Sequence, residues 1–104
     1  MNAKWLIAPA AAAALFVSGQ ASADLDLAKK SGCLACHGIE KKIVGPSWKD
    51  VAAKYKGDAG ARDLLIGKVA KGGKGTWGPA PMPPYSPRVS DANIEKLVDF
   101  IIGL

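Results

Sequence analysis

Two cysteines and one histidine are all the thiol and imidazole that this 104-residue chain offers. Two thiols are too few for a disulfide-rich scaffold. Cys33, Cys36 and His37 also leave no fourth Cys or His to complete a zinc site. No apolar run approaches the roughly 20 residues of a membrane span: residues 5–17 give 13, interrupted by Pro9. No window alternates apolar and polar residues between turn signals, so nothing predicts a sheet. Basic residues outnumber acidic ones by 14 to 9, for a net charge of +5. They are not clustered with aromatics, which argues against nucleic acid as a partner. A hydrophobic content of 49% excludes a disordered chain.

That content is unevenly spread. The first 23 residues have Lys4 near the start, an apolar stretch over 5–17 and a small-residue ending at Ala21, Ser22 and Ala23. This is the three-part layout of a secretory signal peptide, with cleavage expected after Ala23 and the periplasm as destination. A membrane anchor is the competing reading, and the stretch is too short for it. No Arg pair precedes the apolar stretch and no Cys follows the cleavage point, so neither twin-arginine export nor lipidation is indicated. The mature domain is expected to be residues 24–104, with a net charge of +4 and 43% hydrophobic residues. Eighty-one residues bury little surface on their own, and domains of this size often carry a staple.

Four short helices are predicted in that domain, which makes it all-α. The first covers 24–36, with Asp24 and Asp26 at its start and Leu25, Ala28 and Gly32 at helical spacing. The second opens at Pro46 and Ser47, with Asp50 three residues after the Ser and a stripe of Trp48, Val51, Ala52 and Tyr55. The third covers 59–71, with Ala61, Leu64, Leu65, Lys68 and Val69 on one face and Gly72-Gly73 as its stop. The fourth has Ser90 as N-cap and Ile94, Leu97, Val98, Ile101 and Ile102 as its apolar face. Residues 72–89, half of them Gly or Pro, are predicted to hold neither helix nor strand. Trp77, Met82 and Tyr85 give that long loop apolar groups to pack, as a functional loop would have.

Cys33-Leu34-Ala35-Cys36-His37 is a CxxCH motif, the attachment signature of c-type haem. Thiols about one turn apart can each add to one of the two haem vinyl groups, and the adjacent imidazole is then placed to bind iron. A thioredoxin-like dithiol would be expected beside a βαβ pattern, which is missing, and a Cys33–Cys36 disulfide would close too small a loop to staple the domain. The sixth iron ligand follows by elimination. With both Cys and the His used, Met82 is the one soft donor left in residues 24–104. Pro81, Pro83 and Pro84 stiffen the backbone around it. Met as core filler is the competing reading, commonest on helix faces, where Met82 is not. A His/Met pair leaves no open coordination position and favours Fe(II), which suits an electron carrier better than a catalyst.

With CLACH, VGPSWKDVAAKY, GTWGPAPMPP and a terminal amphipathic helix in that order, residues 24–104 resemble the class I cytochromes c. The likeness is greatest to the short bacterial monohaem group called c-551 or c8. The resemblance implies a cytochrome c fold of about four short helices around one covalently attached haem, with the first and last helices crossing. It implies that the Pro46 carbonyl accepts the His37 Nδ1 proton, that Trp77 donates to a haem propionate and that Lys68 is a basic propionate partner. Where the group commonly has an Asn donating to the ligand sulfur, this chain has Tyr85, followed by a slightly longer stretch to Val89. The implied function is that of a soluble periplasmic electron carrier, a monomer without membrane insertion or enzymatic activity. It would serve redox proteins of a respiratory chain: a reductase or oxidase, a nitrite reductase or a peroxidase. The other function to weigh is an exported thiol-disulfide oxidoreductase, or a haem peroxidase whose Met82 swings away. Lys29, Lys30, Lys41, Lys42, Lys71 and Lys74 flank the motif and the Met loop. They form either a docking rim for acidic partners or an ordinary solvated surface, and two propionates would lower +4 to about +2.

Overall fold

A computed structural model describes residues 21–104. The expected leader therefore lies outside the described residues except for positions 21–23, which are part of a helix, α1, running over 21–30. Ala28, on its inner face, is completely buried. The prediction of one helix through Cys36 fails at Gly32. This residue takes φ +82°, ends the helix in a left-handed turn and starts a separate 3-10 turn, Cys33–Ala35. The CxxCH motif thus sits on its own tight turn, closed by the Cys36 and His37 N–H groups on the Cys33 carbonyl, at 3.2 and 3.0 Å.

Helix α2, Trp48–Lys54, starts where the sequence places it: the Ser47 hydroxyl accepts the Asp50 N–H at 3.1 Å. Its stripe of Trp48, Val51, Ala52 and Tyr55 is buried. Helix α3, Ala61–Lys71, begins two residues later than predicted, because Asp58 first forms a turn. The Asp58 carboxylate accepts the Gly60 N–H at 2.9 Å, and its carbonyl accepts the Ala61 N–H. Leu64 is 46% exposed, against the expectation that it faces inward, while Leu65, Ile66, Val69 and Ala70 are half-buried.

The glycine-proline segment holds a two-stranded antiparallel ribbon, β1 (Gly73–Gly75) and β2 (Gly78–Met82), where no strand was expected. Both strands are edges, so the N–H groups that Pro79 and Pro81 lack need no partner. The fold is still mostly helical. Helix α4, Asp91–Ile102, is its keel: Ser90 caps it by accepting the Asn93 N–H at 3.2 Å, and Ile94, Leu97, Val98 and Ile101 are buried. Both α2 and α3 pack on α4, and Ala28 of α1 belongs to the same core cluster. Arg62 of α3 clasps α4 from outside, donating to Asp99 at 2.7 and 3.3 Å and to Glu95 at 3.3 Å. Among the described residues no helix is long and apolar enough to cross a membrane.

Candidate functional site

The core is not closed on all sides. A cavity enclosing about 1250 Å³, part of it open to solvent, lies between α2, α3, α4, the CxxCH turn and the β1–β2 ribbon. Its floor is the apolar side of α4, Leu97, Val98 and Ile101. The half-burial of Leu65 and Val69 has its explanation here, since both pack against the core and also line this space. All seven residues singled out from the sequence line it: Cys33, Cys36 and His37 from the turn, Pro46 before α2, Lys68 from α3, and Trp77 and Met82 from the ribbon.

His37 is the most constrained of them. Its Nδ1 lies 2.8 Å from the Pro46 carbonyl oxygen. A carbonyl can only accept, so Nδ1 carries the proton and Nε2 keeps its lone pair for a metal. One face of the ring stacks on Trp48, with centroids 5.9 Å apart and planes at 27°. The ring also lies directly against Gly45, where a Cβ would come within 2.9 Å of Nδ1 and 3.1 Å of Nε2. The Gly45 and Val44 N–H groups both donate to the Cys36 carbonyl, at 2.8 and 3.1 Å. The segment that orients the imidazole is thereby tied to the turn that carries it. Trp48 in turn meets Phe100 of α4 edge-on, at 6.2 Å and 86°.

Trp48, on the apolar stripe of α2, is core, at 3% exposure, and also the wall behind His37. Neither this stack nor the Gly45 contact is visible in the sequence, because both depend on the angle at which residues 44–47 return to the motif. Trp77, 40% exposed, stands at the turn of the ribbon, and the Lys54 ammonium lies 5.7 Å from its ring centroid and from that of Tyr55. Lys68 reaches over Gly73. Tyr85 is buried against the cavity with the Arg88 guanidinium 4.7 Å from its ring centroid. Burial pushes the Cys33 thiol above its ordinary pKa, with a backbone hydrogen bond and Arg88 opposing. That is the reverse of the lowering by which a dithiol nucleophile is activated.

The family model for cytochrome c matches residues 25–104. The chain belongs to the cytochrome c family. It is 56% identical over 91 residues to cytochrome c-551 of Allochromatium vinosum, covering 88% of this chain and 96% of that one. It is 50% identical over 104 residues to cytochrome c-552 of Nitrosomonas europaea, covering 100% and 99%. The crystal structure of wild-type Nitrosomonas europaea cytochrome c552 superposes with a TM-score of 0.73, over 77% of this chain and 98% of that one. As a cytochrome c, the protein carries electrons through one haem c bound covalently by Cys33 and Cys36. The residues present fit that group: a largely apolar cavity, two cysteines on one turn at its wall, and an imidazole whose Nδ1 faces a carbonyl, leaving Nε2 for a metal.

Proposed function

We propose that residues 1–23 are removed on export and that residues 24–104 work in the periplasm as a monomeric one-electron carrier without enzymatic activity, with His37 and Met82 as the axial ligands. The observation that carries the ligand reading is the His37–Pro46 hydrogen bond at the wall of a cavity that Met82 also lines. When bound, the haem supplies an iron centre that takes up and returns a single electron. As ligands, His37 and Met82 would leave the iron no position open to a substrate or oxygen, and the soft thioether would favour the reduced state. Pro46 holds the imidazole in its ligating tautomer and raises its basicity. Trp77 and Lys68, which line the cavity, would hold the propionates, and the Tyr85 hydroxyl is the candidate donor to the Met82 sulfur. The apolar wall of Leu97, Val98 and Ile101 would keep water from the metal.

The partners are redox proteins, a reductase or oxidase, a nitrite reductase or a peroxidase, and neither nucleic acid nor a membrane. Lys29, Lys30, Lys41, Lys42, Lys71 and Lys74 are all exposed, and none belongs to the ion pairs found among the described residues. This supports a rim that steers acidic partners. Electron-transfer rates with such a partner are expected to fall as ionic strength rises; a flat response would remove the steering reading. The alternative, thiol-disulfide exchange, needs Cys33 and Cys36 free, and the haem uses both.

The test is the visible spectrum of protein matured in a haem-attaching host. A reduced c-type spectrum with a weak far-red sulfur-to-iron band is expected, and Met82→Ala should abolish that band and lower the potential. A band that survives Met82→Ala would mean another ligand. Amino-terminal sequencing of the exported protein should begin at Asp24.

A further inference from the structure

Helix α3 ends at Gly72 with φ +75° and ψ −172°, a conformation essentially closed to residues with a Cβ. Four other described glycines with positive φ, Gly32, Gly57, Gly75 and Gly78, have nothing within 4 Å of where a Cβ would stand. Gly72 differs from them. A Cβ there would run into the Met82 carbonyl oxygen and come within 3.0 Å of the Pro83 carbonyl carbon and the Pro84 nitrogen. The backbone of the Met loop therefore lies directly on the end of α3.

Two further contacts hold it there. The carbonyls of a helix's last turn have no partner within the helix. Here the Val69 carbonyl accepts the Tyr85 N–H at 3.0 Å and the Ala70 carbonyl accepts the Ser86 N–H at 3.2 Å. The Met loop thus caps α3, and α3 fixes the height of the Met loop. The Lys68 carbonyl is taken by Gly72 itself, at 2.8 Å.

We infer that Gly72 is a positioning residue for Met82: its bare Cα lets the end of α3 seat the backbone of residues 82–84, which sets where the Met82 thioether lies. The inference rests on the reading of Met82 as an iron ligand. It differs from the stiffening expected of Pro81, Pro83 and Pro84, because it places the constraint in a contact across the fold and not in the local chain.

In Gly72→Ala the Met82 carbonyl must retreat by about 1 Å to reach ordinary contact distance. The expected result in the haem-bearing protein is loss of most of the ferric far-red band and a rise of about tenfold or more in the apparent affinity for added imidazole. Gly57→Ala also places a Cβ at a positive-φ glycine, without the collision (φ +78°, nothing within 4 Å), and should keep both properties at wild-type level. A Gly72→Ala protein with the wild-type band and imidazole affinity would overturn the inference. The second arm does not depend on that variant folding. A Pro83→Ala, Pro84→Ala double variant leaves the Gly72 contact and both hydrogen bonds in place, so its band should persist. Loss of the band there would show that the prolines do the positioning and would also overturn the inference. Failure of the ligand reading looks different, since the band would then be missing from the wild type or would survive Met82→Ala.

Discussion

Gly45→Ala tests how tightly the imidazole is held. Gly45 has a φ that other residues can adopt, so in open space the change would stabilise the protein by about 0.4–1 kcal/mol through the unfolded chain. The space is not open. A Cβ would stand 2.5 Å from His37 Cε1 and 2.9 Å from Nδ1, where ordinary contacts are 3.4–4 Å. The ring has to give by about 1 Å, and the stacked Trp48, itself wedged against Phe100, blocks retreat on one side. Overpacking of this kind costs about 1–3 kcal/mol. A shift of that size also takes the 2.8 Å Nδ1 to Pro46 bond beyond bonding distance, a further loss of about 1 kcal/mol. The net expectation is destabilisation by about 1–3 kcal/mol. With His37 as the proposed ligand, a less basic imidazole stabilises Fe(III) less, so the potential should rise, by about 59 mV for each tenfold change in relative ligand affinity. Denaturant unfolding and redox titration of the haem-bearing protein measure the two quantities. A variant as stable as the wild type, with an unchanged potential, would refute the account of how His37 is fixed.

Other expectations are simpler. Trp48→Leu should destabilise by about 2–4 kcal/mol, since it removes a 3% exposed indole from between His37 and Phe100; thermal unfolding would show it. Ser47→Ala and Ser90→Ala each remove a helix cap and should each cost about 1 kcal/mol in denaturant unfolding. The Lys49 ammonium, 2.8 Å from Glu40, holds that carboxyl below its ordinary pKa. A lowered folded-state pKa stabilises at pH values above the unfolded one, and the gain fades as pH falls through the folded one. Glu40→Gln should therefore match the wild type in acid and fall slightly behind it near neutrality, a gap that added salt closes.

Helices α2 and α4 could be read almost to the residue, because their information is local. Ser47 and Ser90 cap, and the apolar residues after them recur at helical spacing. The reading of 24–36 as one helix missed the break at Gly32, whose left-handed φ separates the cysteine turn from α1. The ribbon at 73–82 was missed for a different reason. Glycine and proline signal loops when taken singly, yet positive-φ glycines and an edge position let them pair. Leu64 was assigned inward by periodicity, but α3 faces a cavity with one side and α4 with another, and Leu64 lies on neither.

The chemistry of the site is written in adjacent residues. CxxCH spacing names the group without any fold, because covalent attachment depends on neighbours along the chain, and His37 and Met82 are the donors proposed for it. Precision comes only from contacts between distant segments. The tautomer of His37 depends on Pro46, the plane of its ring on Gly45 and Trp48, and the seat of Met82 on the end of α3. Such distances are set by how the segments pack, and residues eight or more apart in the chain carry no local signal of them.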